Sequence, residues 1–156
     1  MLNEIMRDKK KLVAYLERRI RRYPKYENLG PGRDEDPVAL LTAGYYMTQT
    51  GYVAIVFDTR PGADSDGEWT RHIDNAENVL RFPHWPTALA ADPANGETVV
   101  RVGEMIRDTI VELRDRGDFA SLPLRADAFF VVEEFDGAWG WPPYEGRRRL
   151  GRLCSG

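Results

Sequence analysis

The chain has 156 residues, of which 42% are hydrophobic and 30% charged, as in ordinary globular proteins that are long enough to bury a core without disulfides or metals. Its only cysteine, Cys154, excludes an internal disulfide and a multi-cysteine zinc site. Because there is no apolar run of about 20 residues and no signal-peptide pattern, we expect a single cytoplasmic domain over 1–156 without a membrane segment.

Charge is distributed unevenly along the chain, although the net charge is only −3. Residues 1–26 carry nine Lys/Arg and three Asp/Glu, and residues 145–156 carry four Arg and one Glu. The two ends therefore have net charges of +6 and +3, which leaves −12 on residues 27–144. Such asymmetry concerns the choice of partners and says little about the fold.

The first predicted element is a helix over 3–23. Apolar residues recur at three- and four-residue spacing and form one stripe: Leu2, Ile5, Met6, Leu12, Val13, Leu16, Ile20 and Tyr23. The remaining face is basic and is predicted to lie in water: Lys9, Lys10, Lys11, Arg18, Arg19, Arg21 and Arg22. Binding of nucleic acid through this helix is the alternative interpretation.

A β-hairpin is predicted at the centre of the chain, with arms at 41–48 and 53–58 on either side of Gln49-Thr50-Gly51. In the second arm Val53, Ile55 and Phe57 fall on one face and alternate with residues of the other face, which is typical of a core strand. The pattern leaves helix or strand open for residues 37–47, and we choose a strand.

Beyond the hairpin, the patterns predict a polar loop at 61–67, a short strand at 69–73, an irregular stretch at 80–86 and a helix over 98–116. A last strand is expected at 128–135, with Phe129 and Val131 in the core, before an Asp136-Gly137 turn. The basic tail, 147–156, is expected to be loosely held. The predicted fold is α+β: an antiparallel sheet of three to five strands packed against two long helices.

No catalytic constellation is recognisable, so we predict a protein that is not an enzyme and has no cofactor. The chain has two histidines, His72 and His84, and no nucleophile elbow or glycine-rich phosphate loop. The enzymatic alternative is a divalent-metal site made from carboxylates at strand ends, namely Asp58, Asp66, Glu133 and Glu134.

Aromatic residues lie beside acidic turns in two segments, which is the composition of protein-binding surfaces. The candidate contact residues are Asp64, Asp66, Glu68, Trp69, Asp136, Trp139 and Trp141. An acidic surface of this kind suits a basic protein partner.

The predicted order of elements, together with VAIVFDTR and DGEW at 53–69 and FDGAWGWPPYE at 135–145, resembles small bacterial immunity proteins of polymorphic or contact-delivered toxin systems. The resemblance implies that the chain neutralises a cognate toxin by binding it. It implies no catalytic residues.

Overall fold

The computed structural model describes residues 2–23, 37–48, 50–59, 79–92, 96–134 and 149–153. Helix α1 is Leu2–Arg21, and the hairpin strands are β1, Val38–Tyr46, and β2, Tyr52–Asp58. They are followed by β3, Val79–Arg81; α2, Trp85–Ala90; and α3, Glu97–Asp115. A short 3-10 turn, Asp118–Ser121, leads to β4, Leu124–Glu134, and β5 is Arg149–Arg152.

The five strands form one sheet in the order β3-β2-β1-β4-β5, which confirms the predicted α+β class and strand number. The prediction of a purely antiparallel sheet is wrong, because β1 and β4 run parallel. The physical reason is the long helix α3, which carries the chain back along the sheet so that β4 enters from the same end as β1.

Strand β1 resolves the ambiguity over residues 37–47 in favour of a strand, which begins at Val38, three residues before the predicted start. It lies between β2 and β4, and its residues are buried as far as Tyr45. A strand covered on both faces has no alternation of polar and apolar residues, and for this reason the local pattern was ambiguous. The hairpin is confirmed, with Tyr46 opposite Tyr52 and Ala43 opposite Ile55.

One face of the sheet and both long helices form the main core. The predicted residues Val53, Ile55 and Phe57 are all fully buried there. Residues from α1 and α3 complete this core: Leu12, Tyr15, Leu16 and Ile20, with Val99, Val102, Met105, Ile106, Ile110 and Leu113. Val131 is buried on the other face beside Leu40, whereas Phe129, predicted to be core, is only half-buried.

Two segments differ from the predictions. The stretch 80–86, expected to be irregular, contributes to β3, which pairs with Tyr52–Ala54, and to the start of α2. Its second proline, Pro86, lies in the first turn of α2, where the missing N–H costs nothing. The tail, expected to be loosely held, contains β5, which pairs with β4, and the buried residue Leu153.

Helix α1 also provides hydrogen-bond partners for the main chain of β2 at Ile55, which lies just beyond the three residues of β2 that pair with β3. The Arg19 guanidinium donates to the carbonyl oxygen of Ile55 at 3.0 Å, and the Ile55 N–H donates to the Tyr15 hydroxyl at 3.4 Å. Arg19 is only 4% exposed, so its assignment to the solvated face of the helix is wrong. A charged side chain that is hydrogen-bonded to main-chain groups at the edge of a strand opposes pairing of that edge with other chains.

Candidate functional site

The end of the sheet where β1 finishes carries aromatic and acidic side chains. Tyr46 and Tyr52 lie opposite each other, with ring centroids 5.4 Å apart and planes tilted by 36°, and both are half-buried. On the neighbouring strand Glu133 pairs with Gly44, so it shares a face with Tyr46. We call Tyr46, Tyr52 and Glu133 the aromatic–acidic end.

At the same end of the sheet, but on the face that packs against the helices, two polar side chains are buried. Tyr45 is fully buried and pairs with Glu134, which is 4% exposed. The Tyr45 hydroxyl donates to the carbonyl oxygen of Val99 in the first turn of α3 at 2.8 Å. Burial raises the pKa of Tyr45 above its ordinary value, and the neighbouring Glu134 carboxylate raises it further. Tyr45 is therefore a neutral hydrogen-bond donor that joins the sheet to α3.

The seven candidate contact residues lie outside the described residues: Asp64, Asp66, Glu68, Trp69, Asp136, Trp139 and Trp141. The strands that precede them are described. Strand β4 finishes at Glu134, beside Tyr45, so the chain enters the segment of Asp136 from the aromatic–acidic end. Strand β2 finishes at Asp58, beside Leu40, so the chain leaves for the segment of Asp64 from the opposite end of the sheet.

The carboxylates of the metal hypothesis are separated by the same register. Asp58 pairs with Leu40, and Glu134 pairs with Tyr45, five positions further along β1. Five residues of strand span about 17 Å, far more than the distance between two ligands of one cation. Asp66 lies outside the described residues, and within the described part of the chain no three His, Cys, Asp or Glu residues are grouped closely enough for a metal.

A second polar cluster joins α1 to the start of α2. Asp8 is 3% exposed, and its Oδ2 accepts a hydrogen bond from the Trp85 indole at 3.0 Å. The same oxygen lies 2.9 Å from Nε2 of His84, whose side chain is 40% exposed. Trp85 also stacks on Phe82, with ring centroids 4.3 Å apart. A buried carboxylate with two hydrogen-bond partners fixes the position of α2 on α1.

The sequence analysis does not predict this cluster, although the sequence contains a signal for it. Asp8 lies four residues before Leu12 and eight before Leu16, so it falls on the apolar stripe and not on the basic face. An acidic residue on an apolar stripe requires buried donors. The sequence does not reveal that His84 and Trp85, 76 and 77 residues away, supply them.

The remaining cations of α1 lie in solvent, as predicted for the basic face. Lys10, Lys11, Arg18 and Arg21 are exposed, and Arg7 lies on the same side. Lys9 is the exception because its ammonium group forms an ion pair with Glu112 of α3 at 2.9 Å.

Neither long helix in the described part of the chain combines the length and the apolar composition needed to cross a membrane. Comparisons of the chain with protein-family models, with curated proteins and with solved structures found no match.

Proposed function

We propose that this chain is a non-enzymatic protein that binds another protein through the aromatic–acidic end and the segment of Asp136, Trp139 and Trp141 that follows β4. The observation that carries the proposal is the position of Tyr46, Tyr52 and Glu133 where the chain enters that segment. In the finer form of the proposal, the chain is a cytoplasmic immunity protein, and its partner is a basic bacterial toxin.

Charge and aromatic content support this function in complementary ways. The net charge of −12 on residues 27–144 would accelerate encounter with a basic partner and orient it. Aromatic side chains supply most of the affinity of protein interfaces, because they bury large rigid surfaces at small cost in conformational entropy. The half-buried Tyr46 and Tyr52 would then form the rim of a contact centred on the tryptophans.

The test begins with affinity capture from the source organism and with co-expression of the products of adjacent genes. Association and dissociation rates of the recovered protein are then measured by surface plasmon resonance. Trp139→Ala or Trp141→Ala should raise the dissociation rate, whereas Glu133→Gln or Asp136→Asn should slow association and weaken its salt dependence.

The matched control is Glu104→Gln, which neutralises an exposed carboxylate on α3 with no ion pair among the described residues. Glu104→Gln should leave both rates unchanged. The proposal fails if no protein is recovered, or if the four substitutions change the rates no more than the control does.

A further inference from the structure

The solvent-facing side of α1 carries cations that form no ion pair with the residues that the structure describes. Its members recur at three-, four- and seven-residue spacing, which places them along one side of the helix. In the described part of the chain no ion pair involves Arg7, Lys10, Lys11 or Arg21, and Arg18 lies over the ring of Tyr15 at 5.8 Å. We call Arg7, Lys10, Lys11, Arg18 and Arg21 the basic face.

The arginines of α3 are arranged differently. Arg101 pairs with Glu97, Arg107 with Asp108 and Arg114 with Asp115. The charges of these three arginines of α3 are therefore neutralised locally. Among the described residues, the basic face of α1 has no such local neutralisation, so its charge can attract an external anion.

The basic face is also held rigidly. On the buried side of α1, Arg19 and Tyr15 are hydrogen-bonded to Ile55 of β2. On the same side Lys9 is paired with Glu112 of α3, and the hydrogen bond and charge of Lys9 lower the pKa of that carboxyl below its ordinary value. Because these contacts fix the helix, a ligand would meet a preorganised row of cations.

The spacing of the cations selects the kind of anion. Arg7 and Arg21 are fourteen residues apart, which corresponds to about 21 Å along the helix. A single phosphate ion needs converging donors, whereas these donors are spread along a line. Insertion into a lipid bilayer needs exposed apolar side chains, and the exposed residue between Lys11 and Arg18 is the small Ala14.

We propose that the basic face of α1 binds the phosphate backbone of a nucleic-acid duplex without sequence specificity. Each strand of a duplex rises about 3.4 Å per phosphate, so about six phosphates fall within the length of the face. The net charge of −12 on residues 27–144 limits the contact to this helix. The site lies on the helix side of the sheet, away from Tyr46 and Tyr52, so the inference does not depend on the proposed protein-binding function.

The experiment is a fluorescence-anisotropy titration of the full chain with a labelled 20-base-pair DNA duplex at 50 and 200 mM KCl. The test variant combines Lys10→Gln, Lys11→Gln and Arg21→Gln. The control combines Arg101→Gln, Arg107→Gln and Arg125→Gln, which removes the same charge from residues that have ion pairs. Thermal unfolding checks that all the proteins remain folded.

We expect the unsubstituted chain to bind the duplex at 50 mM KCl and to lose affinity steeply at 200 mM. The test variant should bind at least about tenfold more weakly. Its plot of log K against log salt should also be shallower: the negative slope should shrink in magnitude by about 2.7, or about 0.9 for each lost phosphate contact. The control should bind within about twofold of the unsubstituted chain.

Three results would overturn the proposal. The first is no binding of the duplex at 50 mM KCl. The second is equal weakening by the test and control variants, because the effect would then reflect net charge alone. The third is competition by poly-glutamate as effective as competition by unlabelled duplex, because the face would then recognise acidic polypeptides instead of a phosphate backbone.

Discussion

Replacing Gly51 by alanine tests the close approach of the hairpin to the start of α2. Gly51 has φ of +59°, a left-handed conformation that costs an L-residue about 1–2 kcal/mol. An added Cβ would overlap the carbonyl oxygen of Phe82 and lie 3.0 Å from Cβ of Trp85 and 3.1 Å from Cδ of Pro86. The Phe82 N–H donates a hydrogen bond, 2.9 Å long, to the Gly51 carbonyl oxygen. This bond hinders the two backbone segments from moving apart to relieve the overlap.

The expected size of the effect follows from these contributions. Overpacking costs about 1–3 kcal/mol, and the smaller entropy of the unfolded alanine chain offsets about 0.4–1 kcal/mol. Gly51→Ala should therefore destabilise the fold by about 1–4.6 kcal/mol. Gly117→Ala is the matched control, because Gly117 has φ of +84° but no atom within 4 Å of an added Cβ. We expect the control to cost only about 0–1.6 kcal/mol, because it lacks the overpacking contribution.

Urea unfolding at constant m-value measures both free energies. The reasoning is refuted if the two substitutions differ by less than about 0.5 kcal/mol, because the contact with Phe82, Trp85 and Pro86 would then contribute nothing.

Three further substitutions test buried polar contacts. Asp8→Ala should lower the free energy of unfolding by about 1–3 kcal/mol, because it leaves the Trp85 indole N–H without an acceptor; a loss below 0.5 kcal/mol in urea would contradict this. Arg19→Met should cost a similar amount by removing the donor to the Ile55 carbonyl, and hydrogen exchange at β2 should increase. Burial raises the pKa of Tyr45, so as the pH rises the unfolded chain loses the Tyr45 proton before the folded chain does. Above about pH 10, Tyr45 should therefore lower the free energy of unfolding by about 1.4 kcal/mol per pH unit. Tyr45→Phe should make that fall shallower, and an unchanged slope between pH 9 and 11 would contradict the assignment.

Local periodicity was sufficient where one side of an element is buried and the other is exposed. Helix α3 is of this kind. Strand β2 is buried on both faces, but its predicted core residues Val53, Ile55 and Phe57 are buried as expected. The long helix α1 was also predicted, but its buried side was predicted to carry apolar residues alone. Asp8 and Arg19 lie on its buried side, because partners distant in sequence satisfy their charges.

The candidate site was less accessible to sequence reasoning than the core. The acidic and tryptophan-bearing segments were identified by composition, and their seven residues lie outside the described part of the chain. Composition did not reveal that Tyr46 and Tyr52 come together with Glu133, because that depends on the pairing of β1 with both β2 and β4. Register, once known, also separates Asp58 from Glu133 and Glu134.

The sequence by itself determined the α+β class, the two long helices, the hairpin around Gly51 and the division into basic ends and an acidic middle. Each of these depends on residues close together in the chain, through side-chain periodicity, turn chemistry or a count of charges. Tertiary structure decided the parallel pairing of β1 with β4, the recruitment of β5 from the tail and the partners of Asp8 and Arg19. These features join residues far apart in the chain, and they are selected by the need to pair strand edges and to satisfy every buried polar group, which no local pattern encodes.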